Sequence, residues 1–277
     1  GAVTSMQQLT SLASIANTVT SLANGVANNS ATALTLSQLT TLGVTGVTAG
    51  NLALVNAVLD VQPAAMANSV EKVQAVVNAV NAVRALADGV AGNGTALTLA
   101  QAAAAGFTTV TTTDGLSLLN TVLDSRAATA AASYQQWSSL GSSVAEVIRM
   151  ADGTANSPTA LGLAEFQALG VTGLDAASAT TLAAVIDQKF TVDVNTLAKL
   201  QALAIPTASV VGGAASVTYG SNTVQVASSA LGTAYVVNSN VSVADIDSIT
   251  HAQNNLWAQV PIAQANQATN VSTQGLL

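Results

Sequence analysis

Apolar residues recur at intervals of three and four along most of the chain and alternate with polar ones near its end. Met6, Leu9, Leu12, Val19, Leu22 and Val26 fall on one side of a helical wheel. A shift of 64 residues lands on Val70, Val73, Val76, Val83, Leu86 and Val90, and a second shift lands on Tyr134, Trp137, Leu140, Val147, Met150 and Thr154. The spacing predicts three amphipathic helices in equal register within a chain that repeats itself. Each is followed by a dipeptide ending in glycine: Asn24-Gly25, Asp88-Gly89 and Asp152-Gly153. Glycine there supplies the left-handed residue that stops a helix.

The stretch TALTLSQLTTLGVTGVT (32–48) returns as TALTLAQAAAAGFTTVT (95–111) and TALGLAEFQALGVTGLD (159–175). Thr35 and Thr98, with Gln38 and Gln101 three residues on, predict short helices opened by a capping box; the third copy has Gly162 and Glu165 instead. These helices stop at Gly43, Gly106 and Gly170. Thr48, Thr111 and Asp175 are then placed to cap a third helix that ends near Asp60, Asp124 and Asp187. The expected architecture is three-helix repeats of about 64 residues, at 1–68, 69–132 and 133–191, with a partial fourth at 192–207 closed by Pro206. Repeats that bury their apolar faces against neighbours stack one on the next.

After 207 the period changes. ASVTYG, NTVQVAS, TAYVVNS, NVSVAD and ATNVSTQ are short runs rich in Val, Thr and Tyr between turn residues, and ADIDSIT (244–250) reads as a helical turn. Residues 208–277 are expected to form an immunoglobulin-like β-sandwich, incomplete because five or six strands are found where seven are usual. The fold class expected is therefore multidomain α plus β.

Composition narrows the function. Only 7% of the 277 residues are charged, against about 25% in ordinary globular proteins. A net charge of −7 with six basic residues argues against nucleic acid and anionic membranes as partners. No cysteine is present, which excludes disulfides, thiolate catalysis and cysteine–zinc sites. Mean hydropathy is +0.49, but the most apolar helical stretch carries Glu71, Lys72, Arg84 and Asp88, so no membrane-inserted span is expected. The opening GAVTSMQQL lacks the basic and apolar regions of a secretory leader, and a removed leader or a longer parent chain is expected.

LTLSQLTTLGVTGVTAGNLALVNAVL resembles the Ala/Thr-rich helical repeats of giant modular bacterial surface proteins. GTAYVVNSNVSVADIDSITHAQNNLWAQVPIAQANQATNVSTQGLL is similar to their Ig-like repeats, through Gly232-Thr233-Ala234-Tyr235, Asp247-Ser248-Ile249 and Asn255-Leu256-Trp257. The resemblance implies a secreted, cell-surface structural protein used for adhesion, biofilm or surface coating, with no catalytic residue. Surface-layer proteins share the composition. Three readings follow: a stalk or module of a large adhesin; a self-assembling surface-layer or filament subunit completed by a neighbour's strand; and a secreted enzyme or carbohydrate-binding module, its ligand unspecified. Partners are expected to be further copies or neighbouring modules of the same protein.

Candidate chemistry is sparse. His251, the one histidine, lies near Asp245 and Asp247 and allows a Ser–His–Asp set on paper, without the G-x-S-x-G elbow that would support it. Asp245 and Asp247 are candidate calcium ligands, since calcium takes hard oxygens, but two carboxylates are too few alone. Asp60, Asp88, Asp124, Asp152 and Asp187 recur with the repeat and read as helix-end and turn residues rather than a ladder of ion sites. Glu146 with Arg149, and Arg84 with Asp88, have the spacing of helix-surface pairs. Tyr134, Trp137 and Trp257 read as packing residues rather than a sugar-stacking platform.

Overall fold

The computed structural model describes residues 4–29, 32–156, 161–204, 208–210, 223–228, 231–243, 246–265 and 267–276. The helices are α1 (Met6–Leu22), α2 (Leu36–Thr41), α3 (Leu52–Val61), α4 (Val70–Leu86), α5 (Leu99–Ala104), α6 (Thr113–Asp124), α7 (Tyr134–Met150), α8 (Leu163–Leu169), α9 (Ala176–Ile186), α10 (Thr191–Val194), α11 (Leu197–Ala204) and α12 (Ile246–Thr250). Those long helices, α1, α4 and α7, each have 17 residues. Their starts are set by Ser5, Ser69 and Ser133, whose hydroxyls accept from the N–H of Gln8, Lys72 and Gln136. Their ends are set by Gly25, Gly89 and Gly153, at φ of 82°, 89° and 83°. In all three turns the preceding side chain (Asn24, Asp88, Asp152) accepts from the N–H two residues on, at 3.0, 2.8 and 2.8 Å.

The capping boxes expected at α2 and α5 are present in full. For α6 the cap is Thr112, not Thr111: the Thr112 hydroxyl accepts from Gly115 N at 3.1 Å. One residue more in this loop than in the first copy shifts the cap along. For α3 the cap position is Asn51, not Thr48, and no side chain closes it; Thr48 only donates its N–H to Asn51 Oδ1 at 2.7 Å, so the helix starts three residues later than its sequence cap suggested. Asp175 completes the exchange with Ser178 in both directions, at 2.7 and 2.8 Å.

Turns of 3-10 helix at Ala64–Met66 and Ala128–Ala131 precede α4 and α7, and α10 holds that place before α11. Lys72 Nζ donates to Ala65 O (2.6 Å) and Asn68 Oδ1 (2.8 Å); Lys199 Nζ donates to Val192 O (2.6 Å) and Asn195 Oδ1 (2.9 Å). The start of α11 therefore matches the start of α4, in the stretch where a fourth partial copy is expected.

The chain divides into two compact bodies. The first comprises residues 1–157, 164–170 and 186–200. Val55, Val58, Leu59, Val80, Val83, Leu118, Leu119 and Val147 lie fully buried within it, and burying one such side chain contributes about 1.5–3 kcal/mol. The equal register of the long helices does not give equal burial. Leu9 is 51% exposed, while its counterparts Val73 and Trp137 are 2% and 1% exposed.

The second body comprises residues 158–163, 171–185 and 201–277. Its strands are β1 (Ala208–Val210), β2 (Thr223–Ser228), β3 (Gly232–Val237), β4 (Trp257–Ile262) and β5 (Thr269–Ser272). They form two antiparallel sheets, β1–β2–β5 and β3–β4. Alternate residues Val224, Val226, Val271, Ala234 and Ile262 meet in one apolar cluster, with Val236, Ala258 and Val260 against it. The strand expected at 240–245 is not formed at 240–243, where Asn240 N turns back onto Asn238 Oδ1 at 2.8 Å; 244–245 lie outside the described residues, as does ASVTYG. WAQVPI forms β4 although Pro261 lacks a ladder donor; it sits opposite Thr233 near the strand end.

Candidate functional site

The described helices are fastened to one another at a few hydrogen-bonded or stacked places along the chain. At the first such place the turn after α2 lies on α4. Thr45 N donates to Gln74 Oε1 (2.8 Å) and Gln74 Nε2 donates to Thr45 O (3.0 Å), so the amide pairs with the main chain as a strand neighbour would. Asn81 Nδ2 and Asn51 Nδ2 both donate to Gly46 O at 2.9 Å. Gly46 is required there: its φ is +78° and a Cβ would lie 3.1 Å from Asn81 Nδ2.

The second junction uses aromatic packing. Phe107 stands where Val44 stood and stacks on Trp137, with centroids 5.7 Å apart and planes at 17°. The added volume is offset at Gly141, the counterpart of Val77, where a Cβ would come within 3.2 Å of Phe107. Trp137 Nε1 donates to Ala131 O at 3.0 Å, and the half-buried Tyr134 donates its hydroxyl to Gly106 O at 3.4 Å. Burial pushes the Tyr134 phenol pKa up. Trp137 is thus core, as its spacing predicted. At the third junction, in the second body, the glutamine device returns: Thr172 N donates to Gln201 Oε1 (2.9 Å) and Gln201 Nε2 to Thr172 O (3.1 Å).

Of the recurring aspartates, Asp88 and Asp152 hold their own turns, whereas Asp60 and Asp124 hold the loop that follows the preceding long helix. Asp124 accepts from the N–H of Gly92 and, at 3.2 Å, of Gly94. Asp60 accepts from Asn28 N in the same way, with its Oδ1 buried and unpartnered. Asp88 also accepts from Asn93 Nδ2 at 2.9 Å, and Asp152 from Asn156 Nδ2 at 3.3 Å. The Asn93 bond and the Val90 N–H hold the Asp88 carboxyl below its ordinary pKa. Asp187 is buried. Among the described residues no three His, Asp or Glu side chains converge as metal ligands would.

Asp245 lies outside the described residues. Asp247 is exposed in the first turn of α12. His251 Nδ1 lies 2.8 Å from the main-chain oxygen of Asp247, so the ring is held by backbone and not by a carboxylate. Glu146 and Arg149 form a two-point pair at 2.6 and 2.8 Å, which lowers the Glu146 pKa. Arg84 and Asp88 form no ion pair among the described residues; Asp88 spends its oxygens on its own turn. Trp257 packs against Tyr235, centroids 6.1 Å apart, on the face of the β3–β4 ribbon opposite the apolar cluster.

The junction amides Gln74 and Gln201, the buried amide Asn56 and the half-buried Asn120 carry no local sequence signature. The sequence signal was recurrence alone: Asn56 returns as Asn120 after 64 residues, and Gln74 returns as Gln201 after 127, with Ser138 between them. No protein-family model, curated protein or solved structure matches the chain.

Proposed function

We propose that the chain is a non-enzymatic structural module of a large bacterial surface protein of adhesin type, acting outside the cell. In this reading its helical region is three copies of a three-helix unit and the start of a fourth, and its β region is an Ig-like sandwich. The observation that carries the reading is the return of one junction device, Thr45–Gln74, as Thr172–Gln201. A repeated bond between segments is what a spacer needs in order to propagate, and no reaction needs it. In addition, among the described residues no helix is long and apolar enough to cross a membrane.

A second reading, a self-assembling surface-layer or filament subunit, is favoured by the β3–β4 ribbon, in which each strand pairs on one side only among the described residues. Such an edge accepts an added strand. Light scattering with negative-stain imaging, with and without millimolar calcium, separates the two. The module reading expects single chains indifferent to calcium. Filaments or sheets would replace it with the second reading, and calcium-driven assembly would return attention to Asp245 and Asp247.

A further inference from the structure

Arg126 occupies the position of Gln62, 64 residues on. Gln62 is buried, and its Nε2 donates to the carbonyls of Ala103 and Ala104 at 3.2 Å each, closing the gap between the end of α3 and the end of α5. Arg126 does not close the corresponding gap. Its Nη1 donates to Ala130 O at 3.2 Å, its Nε is buried without a partner, and it pairs with no carboxylate among the described residues. Beside it opens a cleft of about 380 Å³ whose lining includes Ser133, Gln135, Ser139 and Ala168. Ala168, on α8, is the counterpart of Ala104.

A guanidinium has five N–H donors, and one is used here. A half-buried cation with no counter-charge is unfavourable unless something compensates it, and desolvation lowers the Arg126 pKa. Gln135 and Ser139 are one turn apart on α7 and exposed, and no described residue hydrogen-bonds their side chains. The cleft is within the size range of small-molecule sites.

We infer that the Arg126 cleft binds a small hydroxylated carboxylate, of the hexuronic-acid class. The carboxylate takes the Nη1–Nη2 edge of Arg126, since Nε is shut off from solvent, and that edge suits two parallel N–H···O bonds; the hydroxyls take Gln135 and Ser139. The probes are glucuronate, glucose and acetate, titrated into the full chain while the arginine Nε–Hε resonances are followed by NMR. Glucuronate is expected to shift the Arg126 signal saturably and to bind about tenfold or more tightly than glucose, because charge-assisted hydrogen bonds are the strong ones. Arg126→Gln, which installs the residue native at position 62, is expected to weaken glucuronate binding about tenfold or more with an unchanged circular dichroism spectrum. Should that variant fail to fold, Arg126→Lys keeps the charge, loses the fork and is expected to weaken binding likewise. Absence of a saturable shift, equal binding of glucose, or undiminished binding by the variant overturns the site. Acetate binding as tightly as glucuronate overturns the hydroxylated ligand.

Discussion

Replacing Asn56 with alanine tests whether amides, rather than packing alone, fasten each segment internally. Asn56 is buried on α3. Its Oδ1 accepts from Leu34 N at 2.8 Å, and its Nδ2 donates to Leu34 O at 2.9 Å and Leu52 O at 3.1 Å. Leu34 is itself buried, so the substitution strands its N–H and C=O away from water. Each stranded group costs about 1–3 kcal/mol; with partial relief by water in the vacated space, Asn56→Ala is expected to cost about 2–4 kcal/mol. Asn120 makes the same two bonds to Leu97, at 2.8 and 3.0 Å, but is only half-buried. Asn120→Ala is expected to cost about 1–2 kcal/mol. Urea unfolding gives the totals, and amide hydrogen exchange gives the place: Leu34 N–H should exchange about thirtyfold faster or more. Asn56→Asp sharpens the test. Its carboxylate faces the carbonyls of Leu34 and Leu52, which raises its folded pKa, so its deficit against the parent should shrink as pH falls and the group protonates. A loss below about 0.5 kcal/mol for Asn56→Ala, with Leu34 exchange unchanged, refutes the reasoning.

Gly94→Ala is expected to cost about 1–3 kcal/mol, because its Cβ would lie 2.4 Å from Leu86 Cδ1 and 2.8 Å from Asp124 Oδ1; an unchanged urea midpoint would contradict this. Acid should also destabilise the fold. The native pKa values of Asp88, Asp114 and Asp175 are lowered, chiefly by bonds from Asn93, from Thr191 and from Ser178 respectively. Their contribution is present above the unfolded value of about 3.9 and is lost as pH falls through the lower native values. Asp114→Asn should be less stable than the parent at neutral pH and converge with it as pH falls through the lowered native value; parallel midpoints across the acid range would count against the Asp114–Thr191–Asn195 contact.

Local chemistry was legible in the sequence where a residue acts on its own turn. The boxes at Thr35 and Thr98, the glycine stops and the turns at Asp88 and Asp152 depend on neighbours a few residues away, and the structure bears them out; Asp60 and Asp124 instead take main-chain donors 32 residues back, which no local pattern announced. The misplaced cap at Thr111 shows the limit: a loop one residue longer moved the cap without disturbing the apolar period. Gln62, Gln74 and Asn56 were opaque because their partners lie 41, 29 and 22 residues away. Periodicity reports which face is buried and is silent about which backbone group waits there. β4 was missed because Pro261 weakens a strand assignment that edge-strand geometry tolerates. Arg126 gained meaning only beside Gln62, once both side chains had been traced to what they do and do not touch.

The fastenings also determine how the protein meets its surroundings. Among the described residues there is a single ion pair, Glu146–Arg149, at the surface. The junctions are held instead by amides, hydroxyls and stacked rings. Ionic strength shortens the reach of exposed charges from about 30 Å in 0.01 M electrolyte to about 3 Å at 1 M, and neutral hydrogen bonds and buried rings are indifferent to it. Junctions tied in this way lose little of their grip between fresh water and brine.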